Sequence, residues 1–159
     1  MAILFSAANL QEVNERIEVP NNFSHTERPT FHAYRDAGHV AAGNQIVFNG
    51  TRLNVGNCFN TSTGFFTAPV AGPYWLYFWG MDASVATYNN QYVRLQINSS
   101  GTNELRIYTS TNASARTQIS GGIVARLEAG DTARVFNQNR TNIYGTSYVY
   151  CYFNGFLIG

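Results

Sequence analysis

The chain has 159 residues, 45% hydrophobic, 14% aromatic and only 12% charged, and its ten arginines, absent lysine and nine acids leave a net charge of +1. That length suits one domain able to bury about 70% of the surface its unfolded form exposes, while the near-neutral charge excludes electrostatic attraction of nucleic acid. No run approaches the roughly 18 apolar residues that a membrane-spanning helix needs.

The first ten residues, Met1 to Leu10, lack the basic leader and sustained apolar stretch of a signal peptide. Leu10, Val13 and Ile17 then recur at helical spacing with Glu12, Glu15, Arg16 and Glu18 between them, which predicts a short helix over 7–18. A single stripe of that length does not hold alone in water. It must pack on its own domain or on the same segment of neighbouring copies. Pro20 and the Asn21-Asn22 pair end it, so residues 1–28 form an N-terminal segment and 29–159 the main domain.

From Pro29 onward the character is β: eleven Phe, ten Tyr and fourteen Gly lie among Thr, Asn and Ser, residues that suit pleated strands and tight turns. Strands are predicted at 30–35, 45–49, 64–68, 73–82, 91–98, 103–109, 117–127, 132–137 and 147–158. Residues 92–97 alternate so that Arg94 and Gln96 face away from a core, and 123–127 do the same with Arg126. By contrast 74–79, Tyr-Trp-Leu-Tyr-Phe-Trp, is apolar or aromatic throughout and needs cover on both faces, at a sheet centre or a subunit interface. Gly121-Gly122 sits inside a strand pattern, which predicts a bulge in preference to a phosphate loop. Many short strands separated by turns predict an all-β sandwich or jelly roll.

Catalytic groups are sparse. His25, His32 and His39 fall seven residues apart with no acidic or thiol partner at metal-ligand spacing, and no nucleophile stands with a base and an orienting group. These histidines read as ordinary surface or strand residues, and the chain as a binding protein with no catalytic centre. Cys58 and Cys151 lack C-x-x-C spacing and read as buried free thiols; a disulfide, the alternative, would close a long loop and require an oxidising compartment. Six N-x-S/T sequons, at Asn22, Asn49, Asn60, Asn98, Asn112 and Asn139, matter only for an exported chain.

Phe48, Asn54, Phe59, Phe66, Gly72, Tyr74 and Phe78 fall at the intervals of the C1q domain signature. Gly130-Asp131 and the closing Phe153-x-Gly155-Phe156-Leu157 extend the match, so that about Pro29 to Gly159 resembles a C1q globular head. Leu76 departs from the pattern, where the family usually has Phe. The resemblance implies a ten-stranded jelly roll, assembly as trimers and secretion. No collagen-like Gly-X-Y repeats precede the domain, so the chain resembles the collagen-free, lectin-like members that bind carbohydrate or microbial surfaces.

If the jelly-roll order holds, the connections 36–44, 82–91, 110–117 and 137–147 gather at the end opposite the termini. Loops on a rigid sandwich are where recognition commonly sits. They carry Tyr88, Asn89, Asn90, Arg116, Gln138, Asn139, Arg140, Asn142 and Tyr144 as candidate carbohydrate-binding residues. Aromatic rings cover the C–H face of a pyranose, amides bond its hydroxyls, and a guanidinium clamps a carboxylate or phosphate. Some heads of the family hold Ca²⁺ near the trimer axis; here the apical loops supply only Asp36 and Asp82 as carboxylates, few for a hard cation, and the metal ligands stay unassigned. The expected function is therefore a homotrimeric C1q-like lectin of innate immune recognition, with a cytokine-like trimeric ligand for a protein partner as the alternative.

Overall fold

The central strands of this molecule exist because alternate side chains find an apolar partner layer. The computed structural model describes residues 28–82, 91–98, 104–109, 116–139, 142–145 and 149–158. The helix expected over 7–18 lies outside the described residues. In chain order the strands are β1 (Thr30–Tyr34), β2 (Val40–Ala41), β3 (Asn44–Gln45), β4 (Gly50–Val55), β5 (Phe59–Asn60), β6 (Phe65–Thr67), β7 (Gly72–Asp82), β8 (Gln91–Ile97), β9 (Glu104–Thr109), β10 (Thr117–Leu127), β11 (Thr132–Asn139), β12 (Asn142–Ile143) and β13 (Cys151–Leu157).

Ten of these strands form two antiparallel sheets. One runs β4-β1-β13-β7-β10 and the other β5-β6-β11-β8-β9, while the two-residue strands β2, β12 and β3 extend the sheets at one end. This is the jelly roll of C1q and tumour necrosis factor type that the signature residues imply. The apolar run 74–79 takes the sheet-centre alternative, since β7 lies between β13 and β10. Its Tyr74, Leu76 and Phe78 are fully buried, and Trp75, Tyr77 and Trp79 on the other face are half-buried.

Two sequence expectations need correction, and a third holds with an addition. Residues 46–49 are not a strand, although Ile46 and Phe48 are buried; the strand lies at β4 instead, whose Gly-Thr-Arg-Leu-Asn-Val sequence shows no alternation because this edge strand is half-buried or exposed at every position. Gly121 and Gly122 form no bulge: β10 pairs with β7 residue for residue from Thr117–Asp82 to Leu127–Gly72. They are glycines for want of room, because a Cβ on Gly122 would lie 2.7 Å from the Leu76 carbonyl oxygen and 3.0 Å from the Trp75 and Tyr77 rings. Gln96 does face away from the core, yet it is only 4% exposed, roofed by Arg134, whose Nε donates to Gln96 Oε1 at 3.0 Å.

The two sheets are joined by aromatic side chains. Phe31 from β1 stacks on Phe59 and on Phe66, each at 5.0 Å between ring centroids, and meets the edge of Phe153 at 5.0 Å. Phe66 and Tyr74 oppose one another at 5.3 Å, and the Tyr74 hydroxyl donates to the Val70 carbonyl at 2.9 Å. Asn54 fixes the β4–β5 turn from both sides: its Nδ2 donates to the Phe59 carbonyl at 2.9 Å, and its Oδ1 accepts from the Phe59 N–H at 3.0 Å. Between them Gly56 and Asn57 take left-handed backbone angles, φ 78° and 49°. Gly155 has no space for a side chain, since a Cβ there would lie 2.4 Å from the Phe31 ring and 2.7 Å from Leu76. Leucine at position 76, the one departure in the signature, is part of that contact.

Cys58 and Cys151 are both buried and free. Burial pushes the Cys58 thiol up to about 11, against the pull of backbone hydrogen bonds, and raises Cys151 further. Among the described residues no helix is long and apolar enough to cross a membrane.

Because Phe31 touches both sheets at once, its truncation leaves a cavity that neither sheet can close alone. Phe31→Ala is expected to cost about 3–5 kcal/mol, read as a lowered urea midpoint with little change in slope; a loss under 1 kcal/mol would show that the Phe31 stack does not join the sheets.

Candidate functional site

The chain enters β1 at Thr30, opposite Phe156 of β13, so residues 29 and 158 mark one end of the sandwich. The other end is reached where β7 finishes at Asp82 and β10 begins at Thr117, its register partner. Here β12 pairs with both Asp82 and β2, and Gly43 N–H donates to the Asn137 carbonyl at the tip of β11. The described parts of the four predicted loops therefore gather at the apical end.

At its centre stands Tyr144. The Arg116 guanidinium lies over the Tyr144 ring at 4.5 Å, the His39 ring packs against Tyr144 at 4.7 Å and Tyr150 at 5.5 Å. Arg116 is exposed and Tyr144 half-buried. The backbone beneath is firmly held: Tyr144 N–H donates to the Met81 carbonyl at 2.7 Å, and the close approach of the Ala37 and Gly38 carbonyls to Gly145 leaves no space for a Cβ. Arg35 pins the facing loop, with Nε and Nη2 donating to the Gly38 carbonyl and Nη1 to the Val47 carbonyl. A cation resting on a ring keeps the outer edge of its donor fork available to an oxyanion, and its side-chain entropy is already partly lost.

Of the nine sequence-predicted residues, the structure brings Arg116 and Tyr144 into contact and places Asn142 beside them. Asn142 works through its backbone, whose N–H donates to Asp82 Oδ1 at 2.8 Å. Gln138 is half-buried near the tip of β11, with its Oε1 shielded from solvent and without a hydrogen-bond partner among the described residues. Asn139 closes β11, and Tyr88, Asn89, Asn90 and Arg140 lie outside the described residues, as does the side chain of Asn139. Sequence reasoning missed His39 and Tyr150. Both lie near loops already singled out, but the seven-residue histidine spacing drew attention to the chain order and away from the neighbour that His39 meets across the fold.

The described residues do not fit calcium. Asp82 is fully buried and bonded to Asn142, while Asp36 Oδ1 accepts from Asn49 Nδ2 at 2.6 Å. No group of three or more acidic, His or Cys side chains comes together among the described residues.

A second feature is the outward face of the β1-β13-β7 sheet. Trp75 and Tyr77 stack at 6.3 Å, Trp79 stacks on Tyr152 at 4.9 Å, and His32 meets Tyr152 at 5.7 Å. Phe156 and Val124 flank Trp75 in register and stand 44% and 56% exposed. Burial, and then the neighbouring Arg52 guanidinium, hold His32 below its usual pKa. A third is a polar cleft of about 320 Å³ beside β4 and β5, lined by Thr51, Asn54, Asn57, Phe59, Asn60 and Thr61. Its Asn54 and Asn60 side chains bond the local backbone, so the cleft is a by-product of the turn that they build.

Known proteins agree with this geometry. Among solved structures, the globular domain of zebrafish complement 1qA protein superposes with a TM-score of 0.69 at 25% identity, covering 82% of this chain and 98% of that domain. Eiger, a TNF of S. frugiperda, gives 0.65 at 12% identity over 84% of this chain and 94% of its own; murine APRIL gives 0.61 at 15%, over 82% and 98%. At such identities these two show the fold alone. The C1q domain family itself matches residues 30–158, and the chain belongs to that family.

Proposed function

We propose that this protein is an extracellular C1q-like lectin, a homotrimer that recognises carbohydrates of microbial or cell surfaces through its apical ends in innate immune defence. C1q and tumour necrosis factor-like domains are non-enzymatic ligand-binding modules that form trimers. The observation that carries the reading is the apical pairing of an exposed guanidinium with an aromatic ring, Arg116 on Tyr144, backed by His39. A pyranose can lay its C–H face along such a ring while the guanidinium and neighbouring amides bond its oxygens. One shallow site of this kind is weak. Three copies on one body gain avidity on a repetitive glycan.

The aromatic outward face supports the trimer. Half-buried Trp75, Tyr77, Trp79 and Tyr152 beside exposed Phe156 and Val124 form an apolar surface of the sort that marks an interface. Light scattering of the purified chain is expected to give the mass of three copies, and Trp79→Glu, which sets a charge in the contact, to give single folded copies. A wild-type monomer at micromolar concentration would refute the assembly.

His32 lies on that face, and its lowered pKa fixes a pH dependence. The folded protein holds the ring neutral where the unfolded chain would protonate it, so the stabilisation is complete above about pH 6.5. It falls as the pH drops through the lowered folded value. Thermal midpoints measured from pH 7.5 to 5 should decline in the wild type and stay flatter in His32→Gln.

A glycan array tests recognition. Wild-type trimer is expected to bind a restricted set of sugars, and Arg116→Ala and Tyr144→Ala each to lose about tenfold in affinity while remaining trimeric. A trimer that ignores every glycan yet binds cells would instead support a cytokine-like ligand for a protein partner.

A further inference from the structure

The two ends of the main domain differ in charge. The four apical connections, 36–44, 82–91, 110–117 and 137–147, contain three basic residues, His39, Arg116 and Arg140, and two acidic ones, Asp36 and Asp82. Both acids are engaged by the fold's own donors. Asp82 is fully buried and accepts the Asn142 N–H at 2.8 Å. Asp36 exchanges two hydrogen bonds with Asn49, accepting from its Nδ2 at 2.6 Å and donating its own N–H to Oδ1 at 3.2 Å. The remaining carboxylates of residues 29–159 stand near the base: Glu128 and Asp131 follow Leu127, the partner of Gly72, and Glu104 is set opposite Gln96 at the basal end of β8.

Two arginines at this end are used differently. Arg35 commits its donors to the Gly38 and Val47 carbonyls and so holds a loop. Arg116 is exposed, its guanidinium lies 4.5 Å over the Tyr144 ring, and among the described residues no carboxylate bonds it. The exposed His39 packs on the same ring at 4.7 Å. A guanidinium laid on a ring keeps N–H groups directed outward in its own plane, as a fork that the two oxygens of a carboxylate match. A neutral hydroxyl takes one prong and brings no countercharge. Because the guanidinium already occupies one face of Tyr144, a ligand at this end meets charge and donors before it meets an open ring.

We propose that the apical site selects acidic sugars, with a carboxylate of the ligand seated on Arg116. This rests on the apical lectin reading and narrows it from carbohydrate in general to one chemical class. The ring beneath Arg116 holds the fork in place before the ligand arrives, so little further side-chain order is lost on binding. The engaged state of Asp36 and Asp82 leaves no acidic side chain of the described apical residues to occupy the fork instead. Three such sites on one trimer match a polymer that repeats the same acid along its length.

The test compares the full chain on surfaces carrying polygalacturonate, hyaluronate and polysialate, each beside its methyl ester, which keeps the sugar and masks the charge. Neutral mannan and polyglutamate complete the set. At least one acid form is expected to bind about tenfold more tightly than its ester, the scale of one charge-assisted contact. Arg116 is exposed, so its variants should fold: Arg116→Gln is expected to bring that ratio close to one, and Arg116→Lys, which keeps the charge and loses the fork, to keep only part of it. Equal binding of every acid and its ester, or mannan bound with all the acids ignored, would overturn the acidic preference and leave a lectin for neutral sugars standing. A preference that survives Arg116→Gln would overturn the assignment to this residue. Polyglutamate bound as tightly as the acidic sugars would move the ligand to an acidic protein surface, and silence on every sugar would remove the lectin reading together with this one.

Discussion

A two-layer sandwich is only as stable as the contact between its layers, and here that contact is aromatic. Phe31 belongs to one sheet by its hydrogen bonds and to the other by its stacking, with Phe59 and Phe66 on one side and Phe153 at its edge. Rings supply large buried area with few rotatable bonds, so little side-chain entropy opposes the packing. Everything at the apical end is positioned by strands whose separation this cluster sets. Gly155 makes room for it, since a side chain there would strike Phe31 and Leu76 together.

With the interior filled by apolar and aromatic groups, the arginines are left to the outside, and several of them are seated on rings. An exposed guanidinium wanders at an entropic cost that binding must later meet. Seating it on a ring removes much of that cost beforehand. At the apical end one arginine sits on one tyrosine; on the lateral sheet the device is repeated along a row. The absence of lysine from the whole chain belongs to the same economy of design, because a planar guanidinium stacks where an ammonium does not.

The sequence revealed most of the fold because long strands and buried alternation leave a strong signal. β7, β8 and β10 were legible nearly to their ends, as were the signature residues Phe48, Asn54, Phe66 and Tyr74. Strand β4 was not, because an edge strand with no buried position has no alternation to read. Gly121-Gly122 misled for a related reason: glycine in a strand can mean a bulge or a collision avoided, and only the opposite strand decides. At the candidate site, loop composition singled out Arg116 and Tyr144 but not their contact, and it passed over His39, which reaches Tyr144 from a different part of the chain. Gln96, polar and on the outer face, gave no sign that a distant arginine would roof it.

The ladder between β7 and β10 runs unbroken for its full length, from Gly72 with Leu127 to Asp82 with Thr117. Its lower end meets Leu157 near the chain's exit, and its upper end carries the carboxylate that holds Asn142. One uninterrupted set of register partners therefore ties the backbone at Asn142 to the opposite end of the sandwich, and neither end of β7 can shift along β10 without breaking the whole row.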